Sequence, residues 1–372
     1  MDFEVVNKER TYKLLLSCDA QVYQGEAAGT GMSEEEWLSR NAFLLKQATV
    51  SERPFQTNVA TVVPMPWWEE LIVCFAWSGF FGLMLFTPFV LVWLTIFNRP
   101  AACYLSGFIF VLHFVLPRRF RPDLCRGYLA KLMLKYFSHR GLWKENLPID
   151  RPSIIVAPPH GLFPIGSLLA VVSLPRVTGL YLRGLAADAL LNIPLVGTRM
   201  RALGLTSASR HNAQKMLREG WTIGISSGGI AEIFETSSSS GSDAAAVETI
   251  ILKSRGGLAK LALQTGSYLV PSYIFGNNQC LTVAHDPFGI MRRLSRFFRV
   301  SIVFFWGRFG LPIPHRVPLL GVLGAPIKVP LVPEPTSEQV AALLAKLEQE
   351  VQVLFDEHKS AYGWQHARLE IK

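Results

Sequence analysis

Residues 71–97 carry no charged side chain at all. That stretch constrains the fold more than any other feature, because its length matches the hydrocarbon thickness of a bilayer, with allowance for tilt or a kink at Pro88. After Asn98-Arg99-Pro100 a second apolar run covers 101–116, which is short for a full crossing. The two runs read as a hydrophobic membrane hairpin over residues 66–117, spanning or re-entrant; the alternative is a buried core hairpin in a soluble protein. Glu69 and Glu70 stand at its start, with Trp67 and Trp68 as interfacial anchors. Arg118, Arg119, Arg121 and Arg126 follow directly, and a basic cluster there predicts that the next domain faces the cytosol. Residues 1–10 mix charges of both signs and no apolar core follows them, so no cleavable signal peptide is expected.

Composition agrees with a bilayer: hydrophobic residues make up 50% of the chain and the mean hydropathy is +0.27. The net charge of +9 suits anionic lipid, nucleic acid or a phosphate-bearing substrate. Nucleic acid is the weakest of these, since the basic residues cluster beside the apolar segment and not among aromatics on one helix or sheet. Cys18, Cys74, Cys103, Cys125 and Cys280 are scattered and never spaced as metal-ligand pairs, so they read as reduced, buried thiols.

Residues 1–65 are polar and aperiodic, a weakly ordered extension with one short helix over 33–47. Beyond residue 150, β-rich runs at 153–157, 179–182, 222–226, 268–275 and 300–306 alternate with helical patterns at 186–203, 209–219 and 248–264. This predicts an α/β domain over 118–372 whose mixed, largely parallel sheet is flanked by helices and gathers ligands at the strands' carboxyl ends. The serine-rich run 237–242 reads as a loop between two such units. After Pro335, apolar residues at helical spacing from Val340 to Phe355 predict a helix, capped near Ser337 and packed on the domain.

The run from Ile154 to Gly161 reads as a buried strand that ends at Pro158-Pro159 and delivers His160 to its carboxyl end, just before a new helix. The positive end of that helix would keep the imidazole neutral and one ring nitrogen free to take a proton. Gly161 leaves room for close approach. A second reading starts from Gly224-Ile225-Ser226-Ser227-Gly228, which satisfies the nucleophile-elbow pattern of a serine lipase or thioesterase; Asp286 and His315 would complete the triad in the required chain order.

Pro159-His160-Gly161 and Ser227-Gly228-Gly229-Ile230-Ala231-Glu232 are the first two of five ordered blocks. The third runs from Arg255-Gly256-Gly257-Leu258 through Leu269-Val270-Pro271 to Phe275-Gly276-Asn277. Trp306-Gly307-Arg308-Phe309-Gly310 with Gly324-Ala325-Pro326-Ile327, and then residues 354–359, complete the series. Together, over about residues 67–363, they resemble the diacylglycerol acyltransferase type 2 family, which includes monoacylglycerol and wax-alcohol O-acyltransferases. The chain departs from the family pattern at Pro158, where the fullest signature has a first histidine, and at Ser227, where a proline is usual.

The resemblance implies an acyltransferase-type fold at the endoplasmic reticulum membrane, with lipid droplets as a further location. It also implies transfer from acyl-CoA to diacylglycerol or a related lipid alcohol. His160 would be the general base and Glu232 its partner, bonded to the unengaged ring nitrogen. Pro159 and Gly161 would shape the substrate site. Gly228 and Gly229, at a strand-to-helix turn, can offer backbone N–H groups to an oxyanion or phosphate. Arg255 and Lys260 would meet the phosphates of CoA. No metal or redox cofactor is called for; acyl-CoA is the co-substrate and membrane lipid the surroundings, with homo-oligomerisation left open. A non-catalytic lipid-droplet relative that keeps the fold is the remaining alternative.

Overall fold

The structure is a computed structural model that describes residues 13–16, 61–116, 118–143, 151–177, 181–236, 247–253, 255–298 and 302–372. The predicted helix over 33–47, the serine-rich run and Cys18 lie outside these residues.

The uncharged stretch forms one helix, Trp67–Phe97, with Glu69 and Glu70 in its first turn, where they favour the positive end of the helix. Asn98 alone separates it from a second helix, Arg99–Val115, whose Ala101 N–H donates to the Asn98 side chain at 3.2 Å. Val73, Trp77 and Phe81, four residues apart, form the buried face of the long helix and pack against Leu132, Tyr136, Phe137 and Ile165. Beyond that face, Phe86, Phe89, Trp93, Ile96 and Phe97 are exposed, as are Tyr104, Phe108, Phe110, Val111 and Val115 on the second helix. A core hairpin would have buried this apolar surface, and one long apolar helix left exposed suggests membrane association. Trp67–Phe97 is long and apolar enough to cross a membrane, the one such helix among the described residues. Ion pairs tie its start to the rest of the molecule: Glu69 to Lys135 at 2.6 Å, and Glu70 to Arg308 and Arg316.

The strands are β1 (Lys13–Leu16), β2 (Arg140–Trp143), β3 (Ser153–Val156), β4 (Leu182–Ala186), β5 (Thr206–Ser207), β6 (Thr222–Ile225), β7 (Val247–Ile250), β8 (Tyr268–Phe275), β9 (Thr282–Val283), β10 (Phe305–Trp306), β11 (Leu320–Leu323) and β12 (Arg368–Ile371). Eight of them form a sheet in the order β1-β2-β11-β8-β3-β6-β4-β5. From β8 to β5 the pairing is parallel; β11 is antiparallel to β8, and β1 to β2. This is the mixed, largely parallel sheet expected. β3 and β8 are buried along their whole length, as central parallel strands read when both faces are covered. Their alternate residues serve different faces: Ile154, Val156, Tyr273 and Phe275 pack under the helices Gly256–Thr265 and Ser337–His358, while Ile155 and Val270 face the helix Ile165–Val177.

Five predicted elements differ. The strand expected over 179–182 is, among the described residues, β4 at Leu182–Ala186. The helix expected over 248–264 is strand β7 followed by the shorter helix Gly256–Thr265, because β12, from the end of the chain, pairs with β7 in parallel. The helix expected over 186–203 is broken at Pro194 into Asp188–Leu191 and Val196–Ala202. The strand expected over 300–306 shortens to β10, which pairs with β9 outside the central sheet. The last helix is capped by Thr336, not Ser337, through a capping box with Gln339. Of the thiols, Cys125 and Cys280 are buried, Cys74 is half-buried and Cys103 is exposed on the second apolar helix.

Candidate active site

β3 ends in the middle of the sheet, and the chain leaves it through Pro158 and Pro159 to His160. Gly161 has a positive φ of 58°, and a Cβ there would lie 2.7 Å from Asn278 Oδ1 and 2.9 Å from Asn277 Nδ2, so only glycine fits. Asn277, which opens the short turn after β8, holds the loop from that side: its amide donates to the carbonyls of His160 (3.0 Å) and Pro159 (3.3 Å) and accepts from the Gly166 N–H (2.9 Å).

Glu232 holds the loop from the other side. It lies in the first turn of the helix Gly229–Thr236 and is fully buried. Oε1 accepts the backbone N–H groups of His160 and Gly161, and Oε2 accepts that of Ile251 at 3.2 Å. Gly228 is where no side chain can stand, since a Cβ would fall 1.8 Å from Glu232 Oε2. Gly229 adopts φ +58°, and Arg255 Nη2 donates to the Gly228 carbonyl at 2.7 Å. Burial is the chief influence on the Glu232 carboxyl and raises its pKa, against the pull of the three N–H donors and the Arg255 charge.

The imidazole itself is engaged at Nδ1, 2.8 Å from the Gly161 carbonyl. A carbonyl can only accept, so in the neutral ring Nδ1 carries the proton and Nε2 keeps its lone pair. Burial lowers the His160 pKa, the Gly161 bond raises it in part, and the Arg255 charge adds a lesser lowering. Two expectations change here. The carboxylate of Glu232 grips the backbone that carries His160, and the Gly161 carbonyl is what engages the ring. The next helix begins only at Ile165, so desolvation, not a helix dipole, keeps the ring neutral.

His160 lines a cavity of about 870 Å³, within the size range that encloses small-molecule ligands. Ser226, Ser227, Gly229 and Arg255 line it too; the other walls are mostly apolar, with His139, Ser167, Ser173 and Ser272 among them, and include Phe81, Met84 and Leu85 of the long helix. The hydroxyls of Ser226 and Ser227 and Arg255 Nε are buried there with no hydrogen-bond partner among the described residues, which marks this end as a place for a polar ligand. Of the predicted residues, His160, Gly229 and Arg255 line the cavity, whereas Pro159, Gly161, Gly228 and Glu232 build the loops behind it. Lys260 is half-buried on the helix Gly256–Thr265 and is not part of the lining. The serine-hydrolase triad is not assembled: His315 Nε2 shares a hydrogen bond with Thr282 (3.2 Å), and Asp286 accepts from the Arg292 N–H (2.9 Å).

Sequence reasoning missed Asn277 as a loop clamp, and it missed Glu248. Asn278 Nδ2 (2.7 Å) and the Tyr273 hydroxyl (3.4 Å) donate to Glu248 Oε2, and burial pushes this carboxyl up to about 7. The β-branched run Val247-Glu248-Thr249-Ile250-Ile251 was the available signal for a strand. Among the described residues no three His, Cys, Asp or Glu side chains converge to hold a metal ion.

The profile of the family described as Diacylglycerol acyltransferase matches residues 91–372. Diacylglycerol O-acyltransferase 2-like protein 6 of Bos taurus is 29% identical over 63% of this chain and 74% of its own length. Diacylglycerol O-acyltransferase 2 of Dictyostelium discoideum is 26% identical over 65% of this chain and 76% of its own length. The human acyl-CoA wax alcohol acyltransferase 2 is 28% identical over 61% and 72%, respectively.

Proposed function

The chain belongs to the diacylglycerol acyltransferase family and is an acyl-CoA-dependent O-acyltransferase for diacylglycerol or a related lipid alcohol; we propose that the acceptor is diacylglycerol, the product triacylglycerol and His160 the general base. One observation carries the reading: a half-buried imidazole with Nε2 free to accept stands in a cavity whose apolar wall includes Phe81, Met84 and Leu85 of the long apolar helix.

In the proposed reaction Nε2 takes the proton of the acceptor hydroxyl as its oxygen attacks the thioester carbon. The tetrahedral oxyanion meets the backbone N–H of Gly229, which lines the cavity at the start of the helix Gly229–Thr236, and Gly228 shapes the turn behind it. When the C–S bond breaks, the imidazolium returns the proton to the CoA thiolate, and the new ester C–O bond remains. Arg255 directs positive charge toward the CoA phosphates, and Lys260 meets the part of CoA beyond the cavity. Glu232 acts as a positioning residue, holding His160 through its main chain.

The helices Trp67–Phe97 and Arg99–Val115 form the membrane hairpin of this reading. The arginines from Arg118 to Arg126 favour a cytosolic catalytic domain on the endoplasmic reticulum, with lipid droplets as a second location. Expression in cells that lack storage-lipid synthesis tests it. Wild type should restore triacylglycerol, and His160→Ala should lower the yield about 100-fold or more. Wax or sterol esters in place of triacylglycerol would reassign the acceptor, and undiminished ester formation by His160→Ala would end the role of the imidazole.

A further inference from the structure

Between β8 and β11 the chain makes an excursion away from the central sheet. The helix Ile290–Phe298 is fixed from within: the Arg292 N–H donates to Asp286 (2.9 Å), the Arg292 guanidinium to the Phe234 carbonyl (3.2 Å), and Ser295 exchanges hydrogen bonds with the Ile302 main chain (2.8 and 3.2 Å). Its outward face nonetheless presents Ile290, Leu294 and Phe297, four and three residues apart. Phe288 is 77%, Phe297 80%, Phe304 74% and Phe309 75% exposed, far more aromatic surface than water-facing ribbons carry.

The segment that leads into and through β10 alternates between two sides. Val303 and Phe305 line the cavity, while Phe304 and Trp306 point outward. One segment therefore separates the cavity from the surroundings. Its position is continuous with the long apolar helix, because Phe305 packs edge-on against Phe81 at 5.4 Å between ring centroids and Arg308 pairs with Glu70. The sequence here is basic as well: from Pro287 to Val317 there are no acidic residues and six arginines, of which Arg308 and Arg316 pair with Glu70 and Arg292 bonds the Phe234 carbonyl, while Arg293 is exposed.

We propose that residues 287–298 and 302–311 form an in-plane docking surface for an anionic phospholipid bilayer, so that the wall Val303–Trp306 separates only the membrane from the cavity and the lipid acceptor passes laterally across it. Aromatic side chains sink into the boundary of headgroups and acyl chains while the exposed Arg293 meets lipid phosphate. The acyltransferase reading is needed only for the identity of what crosses the wall.

The test uses the full-length enzyme in vesicles of phosphatidylcholine containing about one-third phosphatidylserine. Phe297→Cys and Phe304→Cys are compared with Leu331→Cys, an exposed position beside Gly266 at the opposite end of β8, and labelling by a membrane-impermeant maleimide is read at each site by peptide mass. The first two should label about tenfold more slowly than the third. Phe297→Glu with Phe309→Glu should raise KM for vesicle-borne diacylglycerol and leave the rate with a short-chain soluble alcohol within about twofold. Labelling at 297 and 304 as fast as at 331 overturns the proposal. So does protection that disappears with one enzyme per nanodisc, which would give the face to a second copy of this chain. Labelling needs no turnover, so an inactive enzyme that still protects these sites would sink the acyltransferase reading and leave the docking surface standing.

Discussion

At the His160 end of the cavity nearly every main-chain group near the ring is bonded to a buried side chain, whereas at the helix end Phe81, Met84 and Leu85 contribute only shape and apolar surface. The first kind of wall is directional: a partner removed from a buried hydrogen-bonded network leaves an orphan that costs its full desolvation. The second is tolerant, since apolar side chains exchange for one another at modest cost if volume is kept. In the proposed reaction, geometry at the reacting bond and breadth toward lipid chains would thus come from different ends of one cavity. Changes at the polar end should strike kcat and folding together, and changes at the apolar end should move chain preference.

Glu232→Ala breaks that comparison most severely. It leaves the N–H groups of His160, Gly161 and Ile251 without their acceptor, and we expect a loss of about 3 kcal/mol or more in unfolding free energy, with activity near background. Glu232→Gln keeps one acceptor oxygen and should fall between the two. Thermal melting in detergent, read beside turnover, checks this; a melting curve for Glu232→Ala that overlays wild type would show that the carboxylate holds nothing.

Glycines sharpen the same contrast. Gly228→Ala drives a Cβ into the Glu232 carboxyl and should cost about 1–3 kcal/mol, while Gly82→Ala, on the long helix where a Cβ meets nothing within 4 Å, should be neutral or mildly stabilising. Equal melting temperatures for the two variants would remove the distinction between the ends.

Glu248 gives a pH signature. Its folded pKa of about 7 lies above its ordinary 4.5, so as pH rises from 4.5 to 7 the unfolded chain releases a proton that the folded one still holds, and stability falls through that window. His139, lowered to about 4 by burial, acts in the opposite sense: its contribution is present above 6.5 and is lost as pH drops toward 4. Only the difference between wild type and Glu248→Gln isolates the carboxyl. The stability lost between pH 5 and pH 8 should shrink in the variant by about 2–3 kcal/mol, and an unchanged pH profile of unfolding would contradict a buried, proton-holding Glu248.

Much of the candidate catalytic end was legible in the sequence because its pieces are local. β3 and β8 read as continuous apolar runs, and His160, Gly228 and Gly229 stand at strand ends where turns are short. What escaped was long-range. β7 passed for helix because its partner β12 lies at the far end of the chain. Asn277 is an ordinary residue until its amide meets the carbonyls of His160 and Pro159, more than a hundred positions earlier. Glu232 was singled out, yet no spacing pattern could show that its oxygens would meet main-chain N–H groups and not the imidazole. The apolar wall is least legible of all, since any large aliphatic side chain satisfies it.

The smallest effect is expected at Ser226. Its hydroxyl lines the cavity with no hydrogen-bond partner among the described residues, and His315 and Asp286 are bound to Thr282 and Arg292, so the expected triad is not there to raise its nucleophilicity. Ser226→Ala should therefore lower acyl transfer by less than about tenfold, where removal of a true triad serine costs a thousandfold or far more. A fluorophosphonate probe should leave Ser226 unmodified in the wild-type enzyme. Labelling there, together with a collapse of activity in Ser226→Ala, would mean that His315 swings to the serine during turnover, and the acyl group would then pass through a covalent ester before reaching the alcohol.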